Sequence, residues 1–532
     1  MSLLTIAIYI ICVAYMILNF KYDIQMLQQN SYRPERYWRW LRSNIMPGWR
    51  LVDVALLFLL CSTLLTPVLS ALIIAFVALA KIALILKKKY KKPLVFTRRV
   101  WRIYGVTVAL ALACFLAVAI SAWGSDKFLW QYSGGVVSLA TILIITIFSW
   151  VWVMAAVFIL TPVEKGINRR YYNDAARILR SMPNLTVVGI TGSYGKTSTK
   201  HYLNRILSEE YDVLMTPGSY NTTMGVIRTV REMMKPFNSI FICEMGAKQK
   251  NDIKEICDLV HPHIGIVTAV GPMHLESFKT IENVQSTKFE LIDALPADGL
   301  AVINNDFEYC ANREVKNVAI VRYGVGDTPG CQYRATDVRY RPSGTDFTIE
   351  GPDDYRLELS TKLVGECNIS NLVAAVIVAL HLRVPEEKIR YAVAAIDQVE
   401  HRLNVKQTPG GVTIIDDAFN SNPSGSKMAV EVLAQFTDGK RIIVTPGMIE
   451  LGERQYELNS TLGEHIGNNL DVAVIVGEYN RDALVEGIKK TSFNKENLHV
   501  VASFNEAQQL LSRILSKGDT VLYENDLPDT FK

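Results

Sequence analysis

Leu185-Thr186-Val187-Val188-Gly189-Ile190-Thr191-Gly192-Ser193-Tyr194-Gly195-Lys196-Thr197-Ser198 is the stretch that decides the fold of the larger part of this chain. Its first six residues are an uncharged, partly β-branched run, the pattern of a buried strand. A glycine-rich turn follows, and Ser198 to Ser208 has helical character. Strand, glycine turn and helix in that order form a phosphate loop, because backbone N–H groups and the helix N-terminus meet phosphate oxygens. The candidate contacts are Gly192, Ser193, Gly195, Lys196, Thr197 and Ser198. Lys196 would neutralise the outer phosphates, and the Thr197 hydroxyl would hold Mg2+. Ile190 stands where the strict pattern G-x-x-x-x-G-K-[ST] has its first glycine, and the shorter T-G-x-x-G-K-T-S is present instead. Alone, the loop implies only a bound nucleoside triphosphate.

Upstream of this stretch the composition changes. The chain has 532 residues and is 49% hydrophobic, but the long apolar runs fall almost entirely in the first 160 residues. Residues 1–20 carry no charge and end at Lys21. That length can span a bilayer, and without a basic start or a small-residue cleavage site it reads as an uncleaved anchor. Residues 54–80 are again uncharged, with Pro67 near the middle of the apolar stretch. From 87 to 102 there are eight basic residues and no acidic one, and Arg33, Arg36, Arg39, Arg42 and Arg50 lie in the segment before. Both flanks are therefore cytoplasmic, and 51–86 is expected to be a helical hairpin turning near Thr66-Pro67. Residues 103–123 and 134–160 are expected to be two further spans, with the chain returning to the cytoplasm at Pro162. Charges within the spans are few, which disfavours transport. Tyr32 to Trp49 mixes the arginines with Tyr37, Trp38, Trp40 and Trp49, an arrangement suited to anionic headgroups or a phosphorylated lipid.

Other classes are excluded. A net charge of +4 is too small to argue for nucleic acid. The eight cysteines include no C-x-x-C pair and match no zinc spacing, as expected of reduced thiols.

Downstream, further motifs follow in order. They are Thr216-Pro217-Gly218-Ser219-Tyr220-Asn221, Glu244-Met245-Gly246-Ala247, Gly271-Pro272-Met273-His274-Leu275-Glu276, and Lys288 with Glu290. After these come Gly365-Glu366-Cys367-Asn368-Ile369-Ser370-Asn371, Asp416-Asp417-Ala418-Phe419-Asn420-Ser421-Asn422-Pro423, and Met448-Ile449-Glu450-Leu451-Gly452. Together with the loop they resemble the Mur ligase family over roughly 185 to 522, most closely the branch that adds D-alanyl-D-alanine. The resemblance implies an ATP-dependent, ADP-forming ligase of bacterial peptidoglycan or cell-wall synthesis. A carboxylate would be activated as an acyl phosphate and attacked by the amine of an amino acid or peptide. It implies two Mg2+ ions, one held by Thr197 and Glu244, the other by His274 and Lys288. The lysine would be an oxygen ligand only as a carbamylated lysine, since an ammonium cannot bind a cation. Asn304, Asn368, Asn371 and Asn420 would lie on the nucleotide side, Asp417 at the ribose, and Arg402 at the phosphates.

The implied architecture is an α-helical transmembrane domain (1–180) followed by α/β: a P-loop central domain (181–397) and a small Rossmann-like domain (398–532). Val412–Ile415, Arg441–Val444 and Val472–Val476 are expected as parallel strands of the last. The chain would be a multi-pass protein of the bacterial cytoplasmic membrane, in contact with the lipid bilayer, its catalytic domains in the cytoplasm. It departs from the family in places. Phe419 replaces a tyrosine, Cys367 a histidine, and Tyr523-Glu524-Asn525-Asp526 stands where the branch has K-G-S-R. Apolar spans occupy the place of the domain that grips the sugar nucleotide, so the expected acceptor is a lipid-linked or membrane-delivered wall precursor or polymer in place of the soluble sugar nucleotide. Two alternatives stay open: the ordinary D-alanyl-D-alanine-adding enzyme with an anchor, and a non-catalytic nucleotide-binding membrane protein.

Overall fold

The computed structural model describes residues 3–61, 66–88, 90, 92–124, 134–273, 275–341, 344–397, 403–418 and 421–525. It forms two compact units, one holding Met1–Ile167 and the other Asn168–Leu527.

The first unit is built from α1 (Leu3–Gln29), α2 (Pro34–Asn44), α3 (Gly48–Cys61), α4 (Pro67–Lys87), α5 (Arg98–Gly124), α6 (Gly134–Ile147) and the start of α7 (Ser149–Arg180). Four helices, Leu3–Gln29, Val68–Lys87, Arg98–Ser121 and Ser149–Arg180, are long and apolar enough to cross a membrane. The arms of the hairpin expected over 51–86 are α3 and α4, and residues 62–65 between them lie outside the described residues. Thr66 caps α4 by accepting from Leu69 N, and Pro67 takes the first turn, where a missing N–H costs nothing. The single span expected over 134–160 is instead two helices. At the junction Val151 N bonds Phe148 O, a tighter turn than the α-helical one, and the next helix carries Pro162 inside it.

Within this unit the fold brings together buried charged side chains that lie far apart in sequence. Asp23 and Arg50 are both fully buried and pair at 2.8 Å. Tyr37 OH donates to Asp23 at 3.0 Å, and Arg50 also donates to Ser149 Oγ at 3.1 Å and Ile45 O at 2.9 Å. A second pair joins Asp53 to Lys81 at 2.7 Å, with Tyr15 OH donating to Asp53 at 2.9 Å. Each carboxylate thus meets a cation far away in sequence, which offsets the cost of taking both charges out of water.

In the second unit, the strands are β1 (Thr186–Thr191), β2 (Val213–Met215), β3 (Ile240–Glu244), β4 (Ile264–Val267), β5 (Leu300–Asn304), β6 (Ala319–Val325), β7 (Tyr333–Arg341), β8 (Gly344–Glu350) and β9 (Arg356–Thr361). They form one sheet in the order β2-β3-β1-β4-β5-β6-β7-β8-β9, parallel from β2 to β7 and antiparallel after it. β3 and β4 are buried throughout, as apolar strands covered on both faces must be. The helices Lys196–Leu207 and Glu366–His381 pack on one face, and Thr223–Met233, Asp252–Val260 and Ile281–Asp293 on the other. Gly189 lets the last of these approach closely, since a Cβ there would lie 2.6 Å from Leu291 Cδ1. A second sheet follows from β10 (Asn404–Gln407), β11 (Thr413–Asp417), β12 (Arg441–Thr445), β13 (Val472–Val476), β14 (Leu498–Val501) and β15 (Thr520–Glu524), in the order β10-β11-β15-β12-β13-β14. All its pairings but β10–β11 are parallel, so the three strands expected from sequence are present as parallel strands.

Arg50→Met should strand the Asp23 carboxylate, at a cost of about 3–5 kcal/mol. The detergent-solubilised protein should then melt at lower temperature by tryptophan fluorescence, and adding Asp23→Asn should restore much of the loss.

Candidate active site

The phosphate loop lies between the ends of two strands. β1 pairs with β3 on one side and β4 on the other, so their carboxyl ends lie side by side, where open α/β sheets bind ligands. Gly192 and Gly195 have φ of +149° and +79°. A Cβ on Gly192 would overlap Thr268 Oγ1, and one on Gly195 would overlap Asn371 Oδ1. The loop is anchored by Ser193 N to Ala269 O at 2.7 Å and by Ser193 Oγ to Gly271 O at 3.1 Å. Lys196 Nζ folds back over the loop onto Gly192 O at 2.7 Å and Ser193 O at 3.3 Å. Ser198 is buried in the first turn of the helix that follows.

Glu244 ends β3, 1% exposed. The register Ile190↔Glu244 brings it beside the loop. Its carboxylate accepts from Thr197 Oγ1 at 3.1 and 3.2 Å and from Asn221 Nδ2 at 3.0 Å, and Lys200 Nζ lies 2.9 Å from Oε2. Burial pushes this carboxyl up, but the Lys200 and Lys196 ammonium groups and the Asn221 hydrogen bond bring it below its ordinary range, so it is ionised. A buried carboxylate aimed at a hydroxyl is an oxygen donor set, and it fits Mg2+.

Lys288 lies on the helix Ile281–Asp293 and is 4% exposed. Burial, and then the nearby Lys196 charge, lower its pKa to about 7. Glu290 caps a neighbouring helix, accepting from Asn251 N at 2.7 Å and Lys254 N at 3.0 Å.

The asparagines are buried and engaged. Asn304 donates to Thr268 O at 2.9 Å and Ser370 Oγ at 3.0 Å, joining β5 to the loop after β4 and to the helix Glu366–His381. Asn371 Oδ1 accepts from Thr199 Oγ1 at 3.0 Å, and Asn368 Oδ1 from Tyr202 OH at 2.8 Å. Both fasten the phosphate-loop helix to Glu366–His381. Asp417 ends β11 and accepts from Leu403 N at 3.2 Å. His274, Arg402 and Asn420, with Phe419, lie outside the described residues.

Two features escaped the sequence reading. Lys200 is one, although it lies four residues after Lys196 on the same helix face, a spacing that could have found it. The other surrounds Glu524, fully buried at the end of β15. Ser421 Oγ, Ser426 Oγ at 2.7 Å and Thr445 Oγ1 at 2.7 Å all donate to its carboxyl. Burial raises its pKa and the hydroxyls offset this in part. The acidic replacement of the basic motif is thus absorbed by hydroxyl groups.

The Mur ligase middle domain matches residues 190–379, and the Mur ligase glutamate ligase domain residues 401–523. The UDP-N-acetylmuramoyl-tripeptide–D-alanyl-D-alanine ligase of Mycobacterium leprae is 30% identical over 371 residues, 64% of this chain and 70% of the relative. The chain belongs to the Mur ligase family. The Bacillus subtilis ligase of the same name is 28% identical over 344 residues, 64% of this chain and 72% of its own length. Among solved structures, MurF from Acinetobacter baumannii aligns with a TM-score of 0.61 at 26% identity, covering 68% of this chain and 77% of that one. The Thermotoga maritima MurF ligase in complex with ADP gives 0.60 at 28% identity, covering 68% and 80%. The protein is therefore an ATP-dependent, ADP-forming ligase of the Mur type, with apolar helices ahead of the family domains.

Gly195→Ala places a methyl group where Asn371 already lies and forces a positive φ on an L-residue. The Mur ligase so altered should bind a fluorescent ATP analogue at least tenfold more weakly, measured by titration, while its far-ultraviolet circular dichroism is unchanged.

Proposed function

We propose that this Mur ligase activates the carboxylate of a membrane-delivered cell-wall or envelope precursor at the cytoplasmic face of the inner membrane and joins it to the amine of an amino acid or short peptide. The carboxylate oxygen takes the terminal phosphoryl group of ATP and ADP leaves. The amine nitrogen then attacks the acyl carbon, inorganic phosphate departs with the bonding electron pair, and the nitrogen loses a proton. Both steps are mainly positioning and charge neutralisation. Lys196 and the loop N–H groups would hold the phosphates. Thr197 and Glu244 would hold one Mg2+, and His274 with carbamylated Lys288 a second, the ions supplying neutralisation of charge on the transferred phosphoryl group.

The Lys288 environment is the observation that carries a catalytic reading over simple nucleotide binding. Carbamylation consumes the neutral amine, and a lysine brought to about 7 by burial supplies it near neutral pH. For the acceptor, the support is α2. Tyr37 turns inward to Asp23, Trp38 lies outside against Trp150, and Arg39 and Arg42 are exposed. Such a face meets an anionic headgroup through charge and interfacial rings. The names of the relatives favour a second reading: ligation of D-alanyl-D-alanine to a soluble uridine-linked tripeptide, the membrane helices being an anchor.

Lys196→Ala should abolish ATP turnover in a protein that remains folded, measured by ADP release; turnover near the wild-type rate would contradict the phosphate-loop assignment. Lys288→Ala should lose ligation, and added short carboxylates should restore part of it. Full-length protein in nanodiscs should use a lipid-linked tripeptide at least tenfold better than the soluble uridine-linked one, by kcat/KM. Neutralising Arg33, Arg36, Arg39 and Arg42 should remove that advantage and leave the KM for ATP unchanged. Equal use of both substrates would leave the anchor reading.

A further inference from the structure

Lys200 is 0% exposed, and its ammonium does two things at once. It lies 2.9 Å from Glu244 Oε2, and it donates to Gly218 O at 2.5 Å in the loop that also carries Asn221. Asn221 in turn donates to Glu244 Oε1 at 3.0 Å. The carboxylate beside the phosphate loop is therefore held from two sides, by an amide on one oxygen and a fixed cation on the other. Lys196, anchored within the same loop, is the second cation acting on it. Among the described residues, the Glu244 carboxylate thus faces the positive charge of both Lys200 and Lys196.

Sites that bind Mg2+ or Ca2+ from protein groups alone gather several carboxylates, whereas sites with one carboxylate share the ion with substrate phosphates. We infer that Lys200 makes divalent-cation binding at Glu244 conditional on the nucleotide. Its buried charge repels the ion until the negative charge of the phosphates arrives to offset it. The inference rests on the reading that Thr197 and Glu244 hold Mg2+. Lys200 is on this account a positioning residue. It keeps Glu244 ionised and oriented without touching the reacting atoms, and it prevents a metal from settling in the loop ahead of ATP. Coulomb repulsion between a buried ammonium and an ion on the same carboxylate is strong enough to matter, because little water screens it.

Binding of Mn2+ to the full-length protein in nanodiscs, read from the electron paramagnetic resonance signal of the free ion, tests this. Wild type should bind Mn2+ at least tenfold more weakly without nucleotide than with a non-hydrolysable ATP analogue. Lys200→Gln keeps hydrogen-bonding partners for Glu244 and Gly218 and removes the charge, so it should bind Mn2+ without nucleotide at least tenfold more tightly than wild type. Lys200→Arg keeps the charge and should behave as wild type. Nucleotide-free binding by wild type as tight as with the analogue would overturn the inference whether or not the variants fold. So would Lys200→Gln no tighter than wild type, or Lys200→Arg as tight as Lys200→Gln. The metal reading has its own arm: Mn2+ should strengthen binding of a fluorescent ATP analogue to wild type but not to Glu244→Gln. Strengthening that survives in Glu244→Gln would remove Glu244 as the ligand, a result distinct from failure of the Lys200 arms.

Discussion

A carboxylate taken out of water has to be matched by donors and charge, and around Glu244 that requirement organises the catalytic corner. The side chain is buried because β3 lies inside a parallel sheet covered on both faces. It remains ionised because the phosphate-loop helix contributes Lys200 and Lys196 and the loop after β2 contributes Asn221. The three contributing segments are therefore fixed relative to one another before any substrate arrives. Such preorganisation is what phosphoryl transfer requires, since the reorientation of dipoles is completed during folding. The asparagines at 368 and 371 extend the same frame, clamping the loop helix to its neighbour from the opposite side.

Much of this was legible in the sequence, for identifiable reasons. The strand, turn and helix around Gly192–Lys196 follow from local pattern. Thr197 and Glu244 could be named because motifs in order constrain one another. Lys200 was passed over, because a lysine on a helix usually lies in solvent and its burial against Glu244 depends on the fold. Asn304, Asn368 and Asn371 were assigned to the nucleotide from their motifs, and the structure has their amides joining elements together. The hydroxyl ring around Glu524 depends on segments near 421, 445 and 524 that meet only in three dimensions.

The first unit, with its apolar helices, shows the same limit. Hydropathy located the apolar stretches and the hairpin, because chain composition alone decides which segments avoid water. It could not foresee the break at Phe148 or the pairing of Asp23 with Arg50 and of Asp53 with Lys81, since each depends on which helices become neighbours. These pairs also bear on α2, whose Tyr37 is drawn inward onto Asp23 while its Arg39 and Arg42 are exposed. Buried polar contacts of this kind fix the rotation of a helix about its axis more tightly than apolar packing does.

The order of the smaller sheet has a consequence for synthesis on the ribosome. β15 lies between β11 and β12, yet it follows β14 in sequence. Until it emerges, β11 and β12 have no common neighbour and the sheet is open along its middle. The helices of the first unit and the nine strands of the first sheet are translated before that moment. Packing of the first unit's helices and assembly of the phosphate loop can therefore be finished while the second sheet is still divided. A nascent chain halted before β15 would expose two unpaired strand edges, the species that quality-control machinery recognises.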